Sequence, residues 1–450
     1  MTLKKNQLYT NLQKNIPQKD WAEYIYRAQL KVPVTNTSIG NDNKMIPLEE
    51  TLHNPLESSA PSLESAELVP EPFPNPISIT FETIEGDTIT LHIQRQACKA
   101  MKKRKYAKFC DGDTVFSRIT PCLENRKIAK VAIEGDAAFG STGFYVFRAK
   151  KKKADARFTY YLTSSDAVVL PAINSMTGAS GRQRADKRFI QRLKLNLPDL
   201  PTQERIADIL SAYDDLIDAN NRRIELLEQA AQELYKEWFV RFRFPGYEAA
   251  KFENGLPSEW ERKQLGDMIA FNPTITAKGA TGFRSIPMAA LSTNNMVINE
   301  SLITSTDTLS GSRSQNLDTL LARITPCLEN GKTGFVFDLK EHEVAGGSTE
   351  FIVMRSKSLT PYFVYFLARS DTFREYAISS MNGADGRQRA KVDRLEKLWW
   401  LHPPQKRLEQ FDSKVKGSFE LIHALTHQNQ NLDAQRDMLL SRLMSGKLEV

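Results

Sequence analysis

The stretch Arg-Ile-Thr-Pro-Cys-Leu-Glu-Asn stands at residues 118–125 and again, letter for letter, at 323–330, an offset of 205 (323 minus 118). Two further blocks accompany it. Phe-Gly-Ser-Thr-Gly-Phe at 139–144 answers to Gly-Gly-Ser-Thr-Glu-Phe at 346–351. Ser-Met-Thr-Gly-Ala-Ser-Gly-Arg-Gln-Arg-Ala at 175–185 answers to Ser-Met-Asn-Gly-Ala-Asp-Gly-Arg-Gln-Arg-Ala at 380–390. Three matched blocks in one order mean that the chain builds one kind of domain twice. Within each copy, short runs rich in β-branched and aromatic residues, such as Thr114–Ile119 and Phe144–Phe147, read as strands, and 77–93 reads as a hairpin about Glu85-Gly86-Asp87. Residues 156–173 and 361–378 read as a helix in matching places. Each copy is thus a compact mixed α/β domain.

A long helix follows each copy. From Leu210 the apolar positions Tyr213, Ile217, Asn220, Ile224, Leu227, Ala231, Leu234 and Trp238 alternate by three and four, with no Gly or Pro between Gln203 and Phe244. The second copy supplies Ile422, Leu425, Asn429 and Leu432 at the positions of Ile217, Asn220, Ile224 and Leu227 moved by 205. Such a seam predicts a coiled coil, and one buried Asn per helix fixes register. Thr202 is the expected N-cap of the first helix, and Glu204 suits its first turn. At ~1.5 Å per residue the helix spans ~58 Å. The second helix begins at the second domain, so it pairs only by running back. The expected fold is α/β (mixed α+β): two globular domains joined and spaced by a pair of long antiparallel coiled-coil helices, with an internal pseudo-twofold repeat. The expected divisions are a small helical piece (1–44), a linker (45–75), the first domain (76–200), its helix (201–244), the second domain (245–402) and the last helix (403–450).

Composition matters most where it is uneven. Residues 45–76 hold seven Pro, six Glu and four Ser but no Lys or Arg, too little apolar surface to offset chain entropy, which predicts a disordered acidic linker. Residues 76–202 carry 23 Lys/Arg against 12 Asp/Glu, or +11, whereas residues 248–402 are close to neutral. The excess gathers at 99–108, with Lys102, Lys103, Arg104 and Lys105, and at 148–157. A polyanionic partner accounts for this, the plainer alternative being a solvated loop face. No apolar run of about 18 residues is present, which argues against a membrane span. No secretory leader is evident. The four cysteines form no Cys-x-x-Cys pair, so structural zinc is not expected and a reduced, cytoplasmic setting fits.

Catalytic equipment is missing from the pattern. There is no Gly-x-x-x-x-Gly-Lys-Ser/Thr loop for nucleotide phosphates, no Asn/Asp-Pro-Pro-Tyr/Phe stretch to hold a flipped base, and no metal spacing among six His. The Arg-Gln-Arg loops do carry chemistry. Arg forks to guanine or phosphate, Gln pairs with adenine, and the preceding glycines let backbone N–H groups approach an anion. These loops make Arg182, Gln183, Arg184, Arg387, Gln388 and Arg389 candidate contacts, together with Arg118 and Arg323. Because the loop is shared by both copies it cannot discriminate two sequences, which leaves phosphate clamping or a structural lock on the following helix. Base readout is expected where the copies differ, at 95–110 and 284–316, where Arg284 and Arg313 are candidates. No catalytic or metal-binding residue is assigned.

Together these residues resemble the specificity subunit of type I restriction–modification systems, over roughly residues 76–450. The likeness rests on the octapeptides, the Gly-Ser-Thr and Gly-Arg-Gln-Arg blocks, Leu-Pro-Asp-Leu-Pro-Thr-Gln-Glu-Arg-Ile entering the first helix, Leu-Pro-Ser-Glu-Trp at 256–260, and the C-terminal Leu-Leu-Ser-Arg-Leu-Met-Ser-Gly-Lys. It implies two target recognition domains, each reading half of a bipartite site in double-stranded DNA, and spacer helices that dock two methylation subunits. Restriction subunits would join through the methylation subunits. S-adenosylmethionine, ATP and Mg would sit on those partners and none on this chain, which would be non-catalytic. The first copy departs from the pattern in lacking a clear Leu-Pro-Ser-Glu-Trp opening. A self-contained DNA-modifying enzyme and a coiled-coil adaptor that binds no DNA are the competing classes.

Overall fold

A computed structural model describes residues 77–79, 94–95, 107–133, 138–276, 282–337, 339–340, 343–383 and 388–448. The expected N-terminal helical piece, the acidic linker, the turn about Glu85–Asp87, Lys102–Lys105 and Arg387 lie outside the described residues. Chain contacts divide the rest into two units, one running up to Ile217 and resuming at Gln430, the other made of Asp218–Asn429.

In the first unit Thr114–Ser117 is buried along its whole length and forms the middle of an antiparallel sheet between Ile128–Lys130 and Phe144–Phe147. A second sheet runs in the order Gln94–Arg95, Ile77–Ile79, Ala138–Gly140, Ala107–Phe109, with Ser78 and Phe139 in parallel register. Helices α1 (Ala156–Ser164), α2 (Asp166–Asn174) and α3 (Lys187–Gln191) follow. The sequence predicts one helix over 156–173, but the chain breaks at Ser165. Its short side chain donates to the Leu162 carbonyl at 2.7 Å while its backbone is extended. A hydroxyl that bonds nearby backbone competes with helix continuation. The long helix α4 (Leu200–Tyr235) also starts earlier than expected. Asp199, not Thr202, is the capping side chain, accepting from the Thr202 N–H at 3.2 Å. Pro201 is tolerated because its missing N–H belongs to the unsatisfied first turn.

In the second unit the strand order Ile269–Phe271, Phe351–Ser356, Thr319–Ala322, Thr333–Phe335 is antiparallel throughout. A second sheet orders Thr304–Thr306, Phe283–Ile286, Ala345–Gly347, Ser312–Ser314, with Ser285 and Gly346 in parallel register. The helices are α5 (Leu265–Met268), α6 (Pro361–Arg369), α7 (Asp371–Ser379), α8 (Val392–Glu396) and α9 (Gln405–Met444). Here too one predicted helix is two. Ser370 breaks it, donating to the Leu367 carbonyl at 2.7 Å and accepting from the Phe373 N–H at 3.3 Å. Helix α4 stops short of the expected residue 244. Lys236–Val240 form a π-turn, closed by the Arg241 N–H on the Lys236 carbonyl, and Phe242 takes a φ of 57°. That reversal embeds Phe239, Phe242 and Phe244 around Trp260.

Helices α4 and α9 meet within each unit. In the second, Asn220 donates to Asn429 at 2.9 Å and to Gln428 at 3.0 Å, while Asn429 donates to Asn221 at 2.8 Å. Farther along α4, the Tyr235 ring lies 6.3 Å from that of Phe411. In the first unit Arg436 donates to Asp214 at 2.8 Å, and Leu443 shares a core with Ile206 and Leu210. Numbers rise on one helix as they fall on the other, so both sets of contacts are antiparallel. Asn220, Ile224, Ile422, Leu425 and Asn429 are buried, and Ile217, Leu227 and Leu432 are half-buried.

Candidate nucleic-acid interface

In each unit the octapeptide and the Arg-Gln-Arg hairpin are tied through their backbones. The Ala185 N–H donates to the Arg118 carbonyl at 2.8 Å, and the Thr120 N–H to the Gln183 carbonyl at 3.1 Å. In the second unit Ala390 donates to Arg323 at 2.9 Å and Thr325 to Gln388 at 3.1 Å. Both Thr-Pro bonds, Thr120-Pro121 and Thr325-Pro326, are cis. The hairpin bases close on themselves, Thr177 with Arg184 at 3.0 and 2.9 Å and Asn382 with Arg389 at 3.2 and 3.1 Å. Gly178 and Gly383 sit at φ of 126° and 134°, a backbone that side chains rarely adopt, which is why glycine stands there.

The backbone pattern is a structural lock, and it leaves side chains outside it. Arg182 and Arg184 are exposed and Gln183 is half-buried. Arg118 lies over the Tyr145 ring at 5.1 Å, while the Tyr145 hydroxyl donates to the Ala185 carbonyl at 2.7 Å. The Nε atoms of Arg118 and of Arg323 are both buried without a hydrogen-bond partner. Gln388 and Arg389 are half-buried, and Arg389 is gripped by Glu350, its Nε reaching both carboxylate oxygens (3.0 and 2.9 Å) and its Nη2 reaching Oε1 at 2.6 Å. Hydrogen bonding from Arg389 holds the Glu350 carboxyl below the ordinary glutamate range, with Arg323 adding to the effect.

Two candidates expected to face bases are engaged with the protein instead. Arg284 is paired with Glu300, and Arg313 donates to the Ile275 carbonyl at 2.6 Å although it remains exposed. Arg284 lies on Phe283–Ile286, which pairs antiparallel with Thr304–Thr306, and Glu300 opens the short helical turn Glu300–Leu302 just before that partner strand. Lys150, Lys151, Lys152 and Lys153 form an exposed turn before α1, a second basic feature of the first unit.

Sequence reasoning missed three buried charges. Asp113 receives two bonds from Arg148 at 2.7 Å and one from the Cys110 N–H at 2.7 Å. Asp318 repeats the arrangement with Arg355 at 2.8 and 2.7 Å and the Gln315 N–H at 2.7 Å. The signal was available, because the two Asp stand 205 apart (318 minus 113) and the two Arg 207 apart (355 minus 148), beside the matched blocks. Glu228, outside the apolar seam of α4, is buried, accepts from the Met296 N–H at 2.7 Å and from the Tyr365 hydroxyl, and is pushed up in pKa by desolvation. Among the described residues no group of three or more His, Cys, Asp or Glu is placed to hold a metal ion, and no helix is long and apolar enough to cross a membrane.

The family described as type I restriction modification DNA specificity domain matches residues 84–229. The MjaIX specificity subunit of a type I restriction enzyme from Methanocaldococcus jannaschii is 26% identical over 355 residues, covering 75% of this chain and 79% of that one. The HindI specificity subunit from Haemophilus influenzae is 31% identical over 180 residues, covering 39% of this chain and 36% of that one. Among solved structures, the HsdS subunit from Thermoanaerobacter tengcongensis shows 18% identity and a TM-score of 0.33, covering 84% of this chain and 92% of that one.

Proposed function

We propose that the chain is a specificity subunit of a type I restriction–modification system and that it reads a bipartite site in double-stranded DNA, one half per recognition domain. The observation that carries the reading is the twin hairpin. Gln183 and Arg184 in one unit, and Gln388 and Arg389 in the other, are fixed by their backbones, with side chains left outside the lock. Guanidinium groups held this way suit phosphate contacts, which position a protein without reading sequence. Sequence is then read by segments that differ between the copies, so the two half-sites differ.

The paired helices act as an antiparallel coiled-coil spacer within a pseudo-twofold repeat and as the docking surface for methylation subunits. Leu216 and Leu421, 205 apart, support this, since both are exposed leucines on the long helices, with Leu226 and Met438 exposed as well. The chain is non-catalytic and cytoplasmic in this reading. S-adenosylmethionine belongs to the methylation subunits, and ATP and Mg to restriction subunits that join through them.

The test is methylation mapping in cells that carry the whole system. Exchanging residues 76–196 for those of a related subunit changes one half-site and preserves the other half and the spacing. Inserting four residues, about one turn, into α4 changes the spacing and preserves both halves. If the exchange altered both halves together, the assignment of one domain to one half would fail. Methyl transfer by the purified chain alone would overturn the non-catalytic reading.

A further inference from the structure

The two hairpins are not electrostatically equal, and the difference traces to one residue. The Gly-Ser-Thr turn precedes Gly143 in the first copy and Glu350 in the second. Their backbones do the same thing: the Gly143 carbonyl accepts from the Arg118 N–H at 3.0 Å, and the Glu350 carbonyl from the Arg323 N–H at 2.9 Å. The Gly143 N–H donates to Ser141 Oγ at 3.1 Å, and the Glu350 N–H to Ser348 Oγ at 3.2 Å. Only the side chain differs. Glu350 holds Arg389 in a two-oxygen grip, whereas its counterpart Arg184 is exposed with no ion-pair partner among the described residues.

We propose that Glu350 sets the affinity of the second recognition domain for DNA by occupying the Arg389 guanidinium as a phosphate would. The inference rests on the reading of the hairpins as DNA contacts. A carboxylate and a phosphate offer the guanidinium the same paired acceptors, so they compete for one set of N–H groups. DNA meeting the second domain must displace Glu350 and leave an anion beside its own backbone. DNA meeting the first domain finds Arg184 unencumbered. The first domain therefore dominates sequence-independent attachment, and the second contributes mainly once its bases match. The near-neutral charge of residues 248–402, against +11 for 76–202 (23 minus 12), points the same way.

The experiment uses the full chain, alone and assembled with its methylation subunits, and titrates it with a non-specific duplex and with the mapped site over a range of salt. Glu350→Gln keeps the side chain's size and removes its charge. It is expected to tighten non-specific binding roughly three- to tenfold at low salt and to steepen the salt dependence by about one phosphate contact. Gly143→Glu is expected to do the reverse in the first domain. Glu350→Gly, which copies the first domain, should follow Glu350→Gln, and melting curves verify folding of each variant. If Glu350→Gln leaves binding unchanged or weakens it while Arg184→Ala still weakens it, Glu350 is only a brace and the proposal is overturned. If neither Arg184→Ala nor Arg389→Ala changes affinity or salt dependence, the reading of the hairpins as DNA contacts fails instead.

Discussion

Asp113 with Arg148 and Asp318 with Arg355 are one arrangement built twice, whereas Gly143 and Glu350 occupy matching places and do different things. The first comparison concerns groups that support strands. Each Asp is buried, satisfies the backbone N–H three residues before it, and ties the strand it begins to the strand beside it. Removing either carboxylate leaves a partly buried backbone donor without its acceptor. The second concerns a side chain at the rim of a hairpin, where the backbone is the same with Gly or Glu and the side chain is open to tuning. The contrast teaches where two copies of one scaffold can diverge without refolding.

The largest expected effect breaks the sameness of the Asp–Arg pair. Asp113→Ala and Asp318→Ala each remove the acceptor for a partly buried N–H and for a partly exposed guanidinium. Each should cost about 2–4 kcal/mol of stability, less than a fully buried pair because the arginines reach solvent. Chemical denaturation checks this, and the two losses should agree within about 1 kcal/mol. A large disparity would show that the repeated geometry does not carry repeated energetics.

The long helices offer a sharper asymmetry. Ala207 of α4 is fully buried, and its counterpart 205 residues on is Asp412 of α9. Desolvation pushes the Asp412 carboxyl up to about 6, against the bond it accepts from Thr360 Oγ1 at 2.7 Å. A carboxyl whose pKa is higher folded than unfolded binds protons more tightly in the native state. Its contribution is therefore present below pH about 4 and is lost as pH rises through about 6. Asp412 is partly open to solvent, so the loss is discounted to about 1 kcal/mol. Asp412→Ala should flatten the pH dependence of the melting temperature between pH about 4 and 6 and raise stability at neutral pH. An unchanged pH profile would remove Asp412 as the cause.

How far the sequence reveals all this follows from the range of each interaction. The seam of the helices is periodic, so the burial of Asn220 and Asn429 was legible from spacing alone. The breaks at Ser165 and Ser370 were hidden because their flanks keep helical periodicity, and only a local hydroxyl bond ends the helix. The burial of Glu228 was not legible, because its partners Tyr365 and Met296 are far along the chain and reach it only through packing. At the interface, the Arg-Gln-Arg segments were legible as donors. The grip of Glu350 on Arg389 was not, since a Glu and an Arg in separate blocks carry no mark of pairing. For the same reason Arg284 was taken as a reader of bases when Glu300 already holds it.

The smallest effect lies just after the octapeptides, where Arg126 stands in the first copy and Gly331 in the second. Both are left-handed, at φ of 51° and 75°, because each closes the turn that follows the cis proline. A side chain in that region costs roughly 1–2 kcal/mol, which glycine avoids. Arg126 offsets part of this by pairing with Asp166 and donating to the Ser164 carbonyl at 3.2 Å, but those groups are exposed and screened, worth at most about 1 kcal/mol. Arg126→Gly should therefore change stability by no more than about 0.5 kcal/mol in either direction. Gly331→Ala should destabilise by about 1 kcal/mol. The added Cβ comes close to the end of the Arg374 side chain, at 2.9 Å from Nη1, which can move aside, and lies at an ordinary 3.8 Å from the Thr293 carbonyl oxygen. Thermal melts of the pair decide the matter. If Gly331→Ala were neutral while Arg126→Gly were clearly stabilising, strain rather than the ion pair would dominate the first copy, and the two turns would differ more than their backbones suggest.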